Sequence, residues 1–506
     1  MEIKDIIPRL YQEKIFASAA TANTLVILPT GMGKTAIALM LAIHRLKKFH
    51  DSKILFLAPT KPLCEQHIRT FEKHLNLPEE KFHVLTGAIK PEERKVIWQK
   101  SKFIFATPQT VTNDLISGKI KFDDVSLLVV DEAHRAIGDY DYVFLAKAYS
   151  EKAKNPRILA LTASPGSDRQ TIETVCKNLF IEKLEIREEH NQDVAPYIQR
   201  KEITEVKIDL PESIKELKEL FENSLRNRLK ILKEQEVIES ADIAKIRKKD
   251  LLLLQGKLAS DVGKDFRKMQ QVSMIAACIK VYHCLELLQT QGIASLVAFI
   301  ETLKKQVYKT KASKNLINDL EFREAMQRAF ELESKHVEHP KFDILKKIVE
   351  KDAGKKIIVF THYRNTADIL VSLLKSIKNV HPVKFIGQKS GLSQKEQVQI
   401  IEDFKAGVYN VLIATSIAEE GLHIENADIG IFFEPVPSAL RTIQRRGRIG
   451  RTNIGKVYTL ITKDTVDEKY HWVAFHKERR MHEALGNLKE EIENPQKKLG
   501  GFIDGK

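Results

Sequence analysis

Four cysteines in 506 residues (Cys64, Cys176, Cys278 and Cys284) leave no C-x-x-C pair, so neither a zinc ribbon nor a disulfide framework is expected. No stretch approaches the ~18 consecutive apolar residues of a spanning helix. The apolar run at 293–300 is too short, and Met1-Glu2-Ile3-Lys4-Asp5 lacks the apolar core of a secretory leader. A soluble, cytoplasmic protein in a reducing interior is expected. Acidic residues are in deficit: 68 Asp and Glu against 82 Lys and Arg give a net charge of +14. Such an excess favours a polyanionic partner, because cations that displace counterions drive binding to nucleic acid. Proline is absent between residues 211 and 340, where only Gly256, Gly263 and Gly292 break a Leu-, Lys- and Glu-rich stretch.

What is present divides the chain in three. Short apolar runs at 24–28, 54–57, 103–106, 127–130 and 158–161 alternate with helical stretches, and the pattern returns at 356–360, 383–385, 411–413, 429–433 and 457–461. Such runs predict parallel strands buried on both faces. The proline-free stretch between them has helical periodicity, as in Ile231, Val237, Ile238 and Ile246. The expected fold is α/β: two parallel-sheet lobes, 1–205 and 336–485, an all-helical insert at 206–335, and a flexible tail at 486–506. His336 and His339 form an H-x-x-H, but no cysteine joins them and a metal role is not expected.

In such sheets ligands collect at the carboxyl ends of strands. After the first strand comes Pro29-Thr30-Gly31-Met32-Gly33-Lys34-Thr35. Its glycines let backbone N–H groups wrap phosphates, Lys34 carries charge to the β- and γ-phosphates, and the Thr35 hydroxyl suits Mg²⁺. Leu28 stands where the strict G-x-x-x-x-G-K-[ST] pattern has its first glycine. Asp131-Glu132-Ala133-His134 ends the run Leu127-Leu128-Val129-Val130. Asp131 suits Mg²⁺, and Glu132 suits orienting or deprotonating the attacking water. His134, Thr162 and Ser164 are candidates for coupling between lobes. Upstream, Arg9 and Gln12 are candidate contacts to the nucleotide base, since an amide both donates and accepts.

Far along the chain, Gln444-Arg445-Arg446-Gly447-Arg448-Ile449-Gly450-Arg451 supplies arginine forks that match phosphate oxygens. Arginines delivered from a second lobe stabilise charge during γ-phosphate transfer, which points to a motor or switch driven by ATP. Other strand ends are rich in small donors: Pro59-Thr60-Lys61, Thr86-Gly87, Thr107-Pro108-Gln109, Thr361-His362-Tyr363 and Thr415-Ser416. Together they suit a track for a sugar-phosphate backbone, read without base contacts. In the insert, Lys245, Arg247, Lys248 and Lys249 form one basic cluster and Lys304, Lys305, Lys309, Lys311 and Lys314 another. Interspersed acidic residues leave two readings open there, solvated helix faces or a nucleic-acid grip.

These motifs, in this order, resemble those of superfamily 2 helicases of the DEAH/DExD type, across both lobes. The resemblance implies two RecA-like domains with ATP and Mg²⁺ in their cleft and nucleic acid across their tops. By motif position it makes Arg448 and Arg451 the arginine fingers, puts Gln444 in contact with the nucleotide region, and adds Glu420 and Gly421 to the ATP site. Phe433-Glu434-Pro435-Val436-Pro437-Ser438, running into Ile443-Gln444-Arg445-Arg446-Gly447-Arg448, resembles the Hef/FANCM branch of fork-remodelling DNA helicases. That branch also carries a helical insert between its lobes, thought to grip branched DNA. RNA-sensing helicases related to RIG-I share an insert, so an RNA helicase or double-stranded-RNA-stimulated ATPase is the alternative. A non-enzymatic junction-binding protein is a third reading, opposed by the intact Lys34, Asp131, Glu132, Arg448 and Arg451.

His423, in Glu419-Glu420-Gly421-Leu422-His423, stands where many relatives place aspartate. The nuclease pattern E-R-K-x-x-x-D is missing, since Glu478-Arg479-Arg480 lacks the trailing acid. Nuclease activity is therefore not expected. Gln496-Lys497-Lys498-Leu499-Gly500-Gly501-Phe502-Ile503 resembles the sliding-clamp-binding peptide, with Gln496, Leu499, Phe502 and Ile503 at its contact positions. The expectation is an ATP-dependent DNA helicase or translocase on forked or branched DNA in replication-fork repair.

Overall fold

The computed structural model describes residues 3–166, 168–189, 191–197, 201–261, 265–306, 310–387, 391–415, 427–436, 438 and 455–493. Lobe one contains strands β1 (Thr24–Ile27), β2 (Lys53–Leu57), β3 (Phe82–Leu85), β4 (Phe103–Ala106), β5 (Val125–Asp131), β6 (Ile158–Thr162) and β7 (Lys183–Ile186). They form one parallel sheet in the order β3-β4-β2-β5-β6-β1-β7. Flanking it are α1 (Leu10–Thr21), α2 (Lys34–Lys48), α3 (Lys61–His74), α4 (Pro91–Lys100), α5 (Pro108–Ile116), α6 (Asp141–Lys152) and α7 (Arg169–Asn178).

Successive strand residues point to opposite faces. Leu25, Leu55, Leu128 and Ala160 therefore enter one core, and Val26, Phe56, Val129 and Leu161 the other. Two buried faces account for continuous rather than alternating apolar runs. The edge strands β3 and β7 were not among the expected ones, because His83 and Val84 of β3, and Glu185 and Ile186 of β7, are only half-buried.

The insert comprises α8 (Glu212–Glu234), α9 (Lys248–Ser260), α10 (Phe266–Thr290), α11 (Ile293–Lys305), α12 (Lys311–Asn318) and α13 (Leu320–Ser334). Its single core draws Ile214, Leu217, Phe221, Leu225 and Leu232 from one stripe of α8, and Ile275, Cys278, Val281, Leu285 and Leu288 from α10. α10 holds no run of ~18 consecutive apolar residues, although one 18-residue window reaches a mean hydropathy of 1.3, enough by length and composition alone to cross a membrane. Its apolar residues recur at helical spacing and are packed against α8, as befits a core helix. The turn into α11 needs Gly292, at φ 93°, where a Cβ would stand 2.9 Å from that of His339.

Lobe two contains β8 (Lys201–Ile208), β9 (Ile357–Phe360), β10 (Pro382–Phe385), β11 (Val411–Ala414), β12 (Ile429–Phe432) and β13 (Gly455–Thr462), in the order β10-β11-β9-β12-β13-β8. Helices α14 (Pro340–Lys351), α15 (Arg364–Leu374) and α16 (Gln394–Ala406) belong to it. β8 corrects the expected boundary after residue 205. It pairs with β13 over its whole length, from Lys201↔Gly455 to Ile208↔Thr462, so it belongs to lobe two although the insert separates it from the rest.

The long helix α17 (Val466–Glu493) leaves β13 and crosses back to lobe one. Met481, Ala484, Leu485 and Leu488 enter lobe one's core beside Ile172 and Val175. The expected flexible tail from 486 is thus corrected as far as 493, since burying Leu488 fixes the last turns of the helix.

Candidate nucleotide site and its connections

The phosphate loop joins β1 to α2, with Gly31 at φ 85° and Gly33 at φ 75°, in the left-handed region. A Cβ at Gly33 would also collide with the Gln12 amide nitrogen. That close approach is used. Gln12 Nε2 donates to Met32 O (3.2 Å), and Tyr11 Oη donates to the same carbonyl (2.7 Å). Gln12 Oε1 meanwhile accepts from the Arg9 backbone N–H (3.0 Å), and Arg9 lies over the Tyr197 ring at 4.5 Å. The Gln12 amide therefore braces the phosphate loop here, rather than standing open to a base edge.

Lys34 Nζ donates to Leu28 O (3.0 Å) and Pro29 O (3.4 Å), so its charge sits inside the loop. Thr35 Oγ1 is 3.3 Å from His67 Nδ1, and His67 Nε2 is 3.0 Å from Asp131 Oδ2. Sheet order explains the meeting. β1, β6 and β5 are consecutive neighbours, with Ile27 beside Thr162 and Leu161 beside Asp131. Burial works against the Asp131 charge, but His67 and Lys34 more than offset it and hold its carboxyl below the usual aspartate range.

Glu132 comes next, in the left-handed conformation (φ 50°, ψ 49°), an uncommon state for a residue with a side chain. Its Oε2 lies 3.3 Å from His134 Nδ1, which is also 3.3 Å from Thr162 Oγ1. Thr162 Oγ1 donates to Ser164 O (2.9 Å) and accepts from Ser164 N–H (3.1 Å). Ser164 Oγ then donates to Met481 Sδ of α17 (2.9 Å). An unbroken line of contacts thus leads from the acidic strand end to the helix that ties the lobes together.

The expected backbone track falls on adjacent strand ends. Pro59-Thr60-Lys61 lies after β2, Thr86-Gly87 after β3 and Thr107-Pro108-Gln109 after β4, which sits between them; in lobe two Thr361 and Thr415 lie after the neighbouring β9 and β11. Not all are accessible. Thr86, Pro108, Thr361 and Thr415 are buried, while Gly87, Gln109 and His362 are exposed and Pro59, Thr60 and Lys61 half-exposed. Thr361 Oγ1 donates to Glu434 (3.3 Å) and the His362 N–H donates to the same carboxylate.

The first basic cluster of the insert is partly committed. Arg247 makes two hydrogen bonds of 2.9 Å to Asp250, and Lys248 Nζ donates to Glu286 at 2.7 Å. Glu286 also faces His283 (3.4 Å) and accepts from Tyr470 Oη of α17 (3.3 Å). Burial opposes its charge, yet His283 and Lys248 hold its carboxyl down to about 2. Lys248 is thus a structural cation at a junction of insert and α17; Lys245 and Lys249 remain exposed. Of the second cluster, Lys304 is drawn to Glu301 (2.9 Å) and over Phe330 (4.0 Å), and Lys311 over Phe266 (4.9 Å). His339 caps α14 by accepting from Lys341 N–H (3.2 Å), and its Nε2 faces Gln289 O (3.1 Å). Beside it Lys341 Nζ meets Asp467 Oδ2 at 2.5 Å, both side chains wholly buried.

Glu420, Gly421, Gln444, Arg448, Arg451, Gln496, Leu499, Phe502 and Ile503 lie outside the described residues. Sequence reasoning missed His67 and Met481. The available signal for His67 was its place on the apolar stripe of α3 with Cys64, Ile68 and Phe71.

Comparison with known proteins agrees with this arrangement. Residues 9–172 match the "DEAD/DEAH box helicase" family, 340–453 the "Helicase conserved C-terminal domain", and 213–336 "Putative ATP-dependent RNA helicase, helical bundle". The chain is 42% identical over 493 residues to "Putative ATP-dependent RNA helicase MJ1505" of Methanocaldococcus jannaschii, covering 96% of this chain and 61% of that protein. It is 32% identical to the ATP-dependent DNA helicase mph1 of Neurospora crassa (92% and 42% covered) and 31% identical to the Fanconi anemia group M protein homolog of Mus musculus (92% and 25%). The chain thus spans from a quarter to about three fifths of these relatives' lengths. The crystal structure of the Pyrococcus furiosus Hef helicase domain superposes with a TM-score of 0.74 at 43% identity, covering 94% of this chain and all of that one. With two parallel-sheet lobes, the helical bundle between them and this likeness over nearly its whole length, the chain belongs to the superfamily 2 ATP-dependent helicases, in the Hef/FANCM branch.

Proposed function

We propose that this helicase uses ATP and Mg²⁺ to translocate on and remodel forked or branched DNA. The observation that carries the motor is the convergence of Lys34, Thr35, Asp131 and Glu132 at neighbouring strand ends. The residues fit the cofactors chemically: two oxygen ligands, Thr35 and Asp131, held through one histidine, and a lysine within a glycine loop. Bound there, Mg²⁺ supplies charge neutralisation to the phosphates. Lys34 and the loop amides bind the phosphates, and Glu132 orients the attacking water and takes its proton. Arg448 and Arg451 stabilise the charge that develops, with Gln444, Glu420 and Gly421 completing the site.

The DNA substrate is supported by relatives named as DNA helicases, in Neurospora crassa and, as fml1, in Schizosaccharomyces pombe. The backbone track and the exposed Lys245 and Lys249 would hold it, and the peptide from Gln496 to Ile503 would recruit a sliding clamp. A second reading, an RNA-stimulated ATPase, is favoured by the name of the Methanocaldococcus jannaschii relative. ATP hydrolysis measured with forked DNA, linear duplex, single-stranded DNA and matched RNA at one fixed salt separates the two. Strongest stimulation by forked DNA is expected; stimulation by RNA alone would keep the motor and overturn its substrate.

A further inference from the structure

We infer that His67 is the positioning residue of the magnesium site, joining Thr35 and Asp131 into one hydrogen-bonded unit; this rests on the nucleotide site proposed above. Its two ring nitrogens reach residues from different segments, Nδ1 to Thr35 after β1 and Nε2 to Asp131 at the end of β5. An aspartate carboxylate only accepts hydrogen bonds, so Nε2 carries the hydrogen. In the tautomer with Nε2–H toward Asp131, Nδ1 offers a lone pair to which the Thr35 hydroxyl donates. A hydroxyl that has given its hydrogen away keeps its oxygen lone pairs for a cation. The same ring fixes the rotation of the Asp131 carboxylate, whose backbone O accepts from Tyr142 Oη at 2.8 Å.

The ring comes from the protein interior. His67 is 5% exposed and lies against Phe56, with centroids 4.3 Å apart and planes at 33°. Phe56 is a wholly buried residue of β2 that also stacks on Phe105 at 5.4 Å. His67 thus supports the two oxygen ligands from the core, in the manner of groups just behind a metal's own ligands, which orient them and tune affinity. Nothing in its sequence context separates it from a structural histidine; the pair of contacts does.

The test compares wild type with His67→Phe, which keeps a ring against Phe56 but removes both nitrogens, and His67→Gln, which keeps one donor and one acceptor on a planar group. Anisotropy of a fluorescent ADP is read across a Mg²⁺ titration and again in EDTA. His67→Phe is expected to need roughly 10- to 100-fold more Mg²⁺ for half-saturation, with its EDTA affinity unchanged. His67→Gln should return most of the way to wild type. A Phe variant with wild-type Mg²⁺ dependence overturns the inference, and so does a Gln variant as impaired as Phe. His67→Ala is a second variant without nitrogens, so the comparison stands if the Phe chain does not fold. Wild type binding ADP with no Mg²⁺ dependence would likewise overturn the inference, whereas no ADP binding with or without Mg²⁺ would overturn the nucleotide-site reading itself; Asp131→Asn marks the level expected when a ligand is lost.

Discussion

Lobe one and lobe two place their strands in corresponding order, β3-β4-β2-β5-β6-β1 in the first and β10-β11-β9-β12-β13-β8 in the second. Position by position, β8 corresponds to β1 and β12 to β5. The difference lies in the segments that leave the strand ends. β1 runs into the phosphate loop and α2, whereas β8 runs through Asp209-Leu210-Pro211 into the insert's first helix. β5 ends on Asp131, with Glu132 next, and His67 links Asp131 to Thr35. Beyond β12 stands Glu434, whose carboxylate is spent within lobe two on Thr361 and the His362 N–H. One strand order thus occurs twice, with a glycine-rich loop leaving one copy and the helical insert grafted at the matching strand of the other.

The largest effects should come from the strand ends that differ. Lys34→Ala and Glu132→Gln are each expected to abolish ATP turnover, by about 10³-fold or more, and to leave DNA binding largely intact. Removal of the Glu434 carboxylate, Glu434→Gln, should retain nucleotide binding, which a fluorescent-ADP titration checks. Loss of binding there would mean the two acidic strand ends are not functionally distinct.

Next come the joints between regions. Lys341→Met strands the wholly buried Asp467, a change expected to cost about 3–5 kcal/mol in denaturant unfolding. At Glu286 the sign is set by its depressed folded value of about 2. Its contribution is complete above about pH 4.5 and is lost as pH falls toward 2. Glu286→Gln should therefore be destabilised by roughly 3 kcal/mol near neutrality, and the gap to wild type should close on acidification. A gap that stays constant to pH 2.5 would remove Glu286 as an ionised tie between the insert and α17.

Smaller effects are expected where lobe one meets α17 and at the insert surface. Ser164→Ala breaks the bond to Met481 and should cost about 1 kcal/mol, while lowering nucleic-acid stimulation of turnover more than basal turnover. Neutralising Lys245 and Lys249 should reduce the salt slope of fork binding by at most about 2. An unchanged slope would show that these lysines are solvated surface and not part of the grip.

The sheets were legible because each central strand is buried on both faces and reads as an unbroken apolar run. β8 was not, since Glu202, Ile203, Thr204 and Glu205 are exposed and its partner β13 lies some 250 residues on, across the insert. The phosphate loop and Asp131-Glu132 could be read because their chemistry is local. His67 could not: a histidine between Gln66 and Ile68 acquires its role only when the fold brings Thr35 and Asp131 to its two nitrogens. The basic cluster at 245–249 stayed open between two readings for a related reason. Charge is visible in sequence, but Lys248 finds its partner Glu286 only in the folded insert.

The central claim is a motor that lobe one powers and forked DNA engages. Its most direct test is ATP-driven conversion of a synthetic fork with homologous arms, by wild type and Glu132→Gln at one fixed salt. Wild type is expected to rearrange the fork in the presence of ATP and Mg²⁺, while Glu132→Gln binds it and leaves it unchanged. Fork conversion by Glu132→Gln at the wild-type rate, or no conversion by a wild type that hydrolyses ATP only with RNA, would contradict the claim.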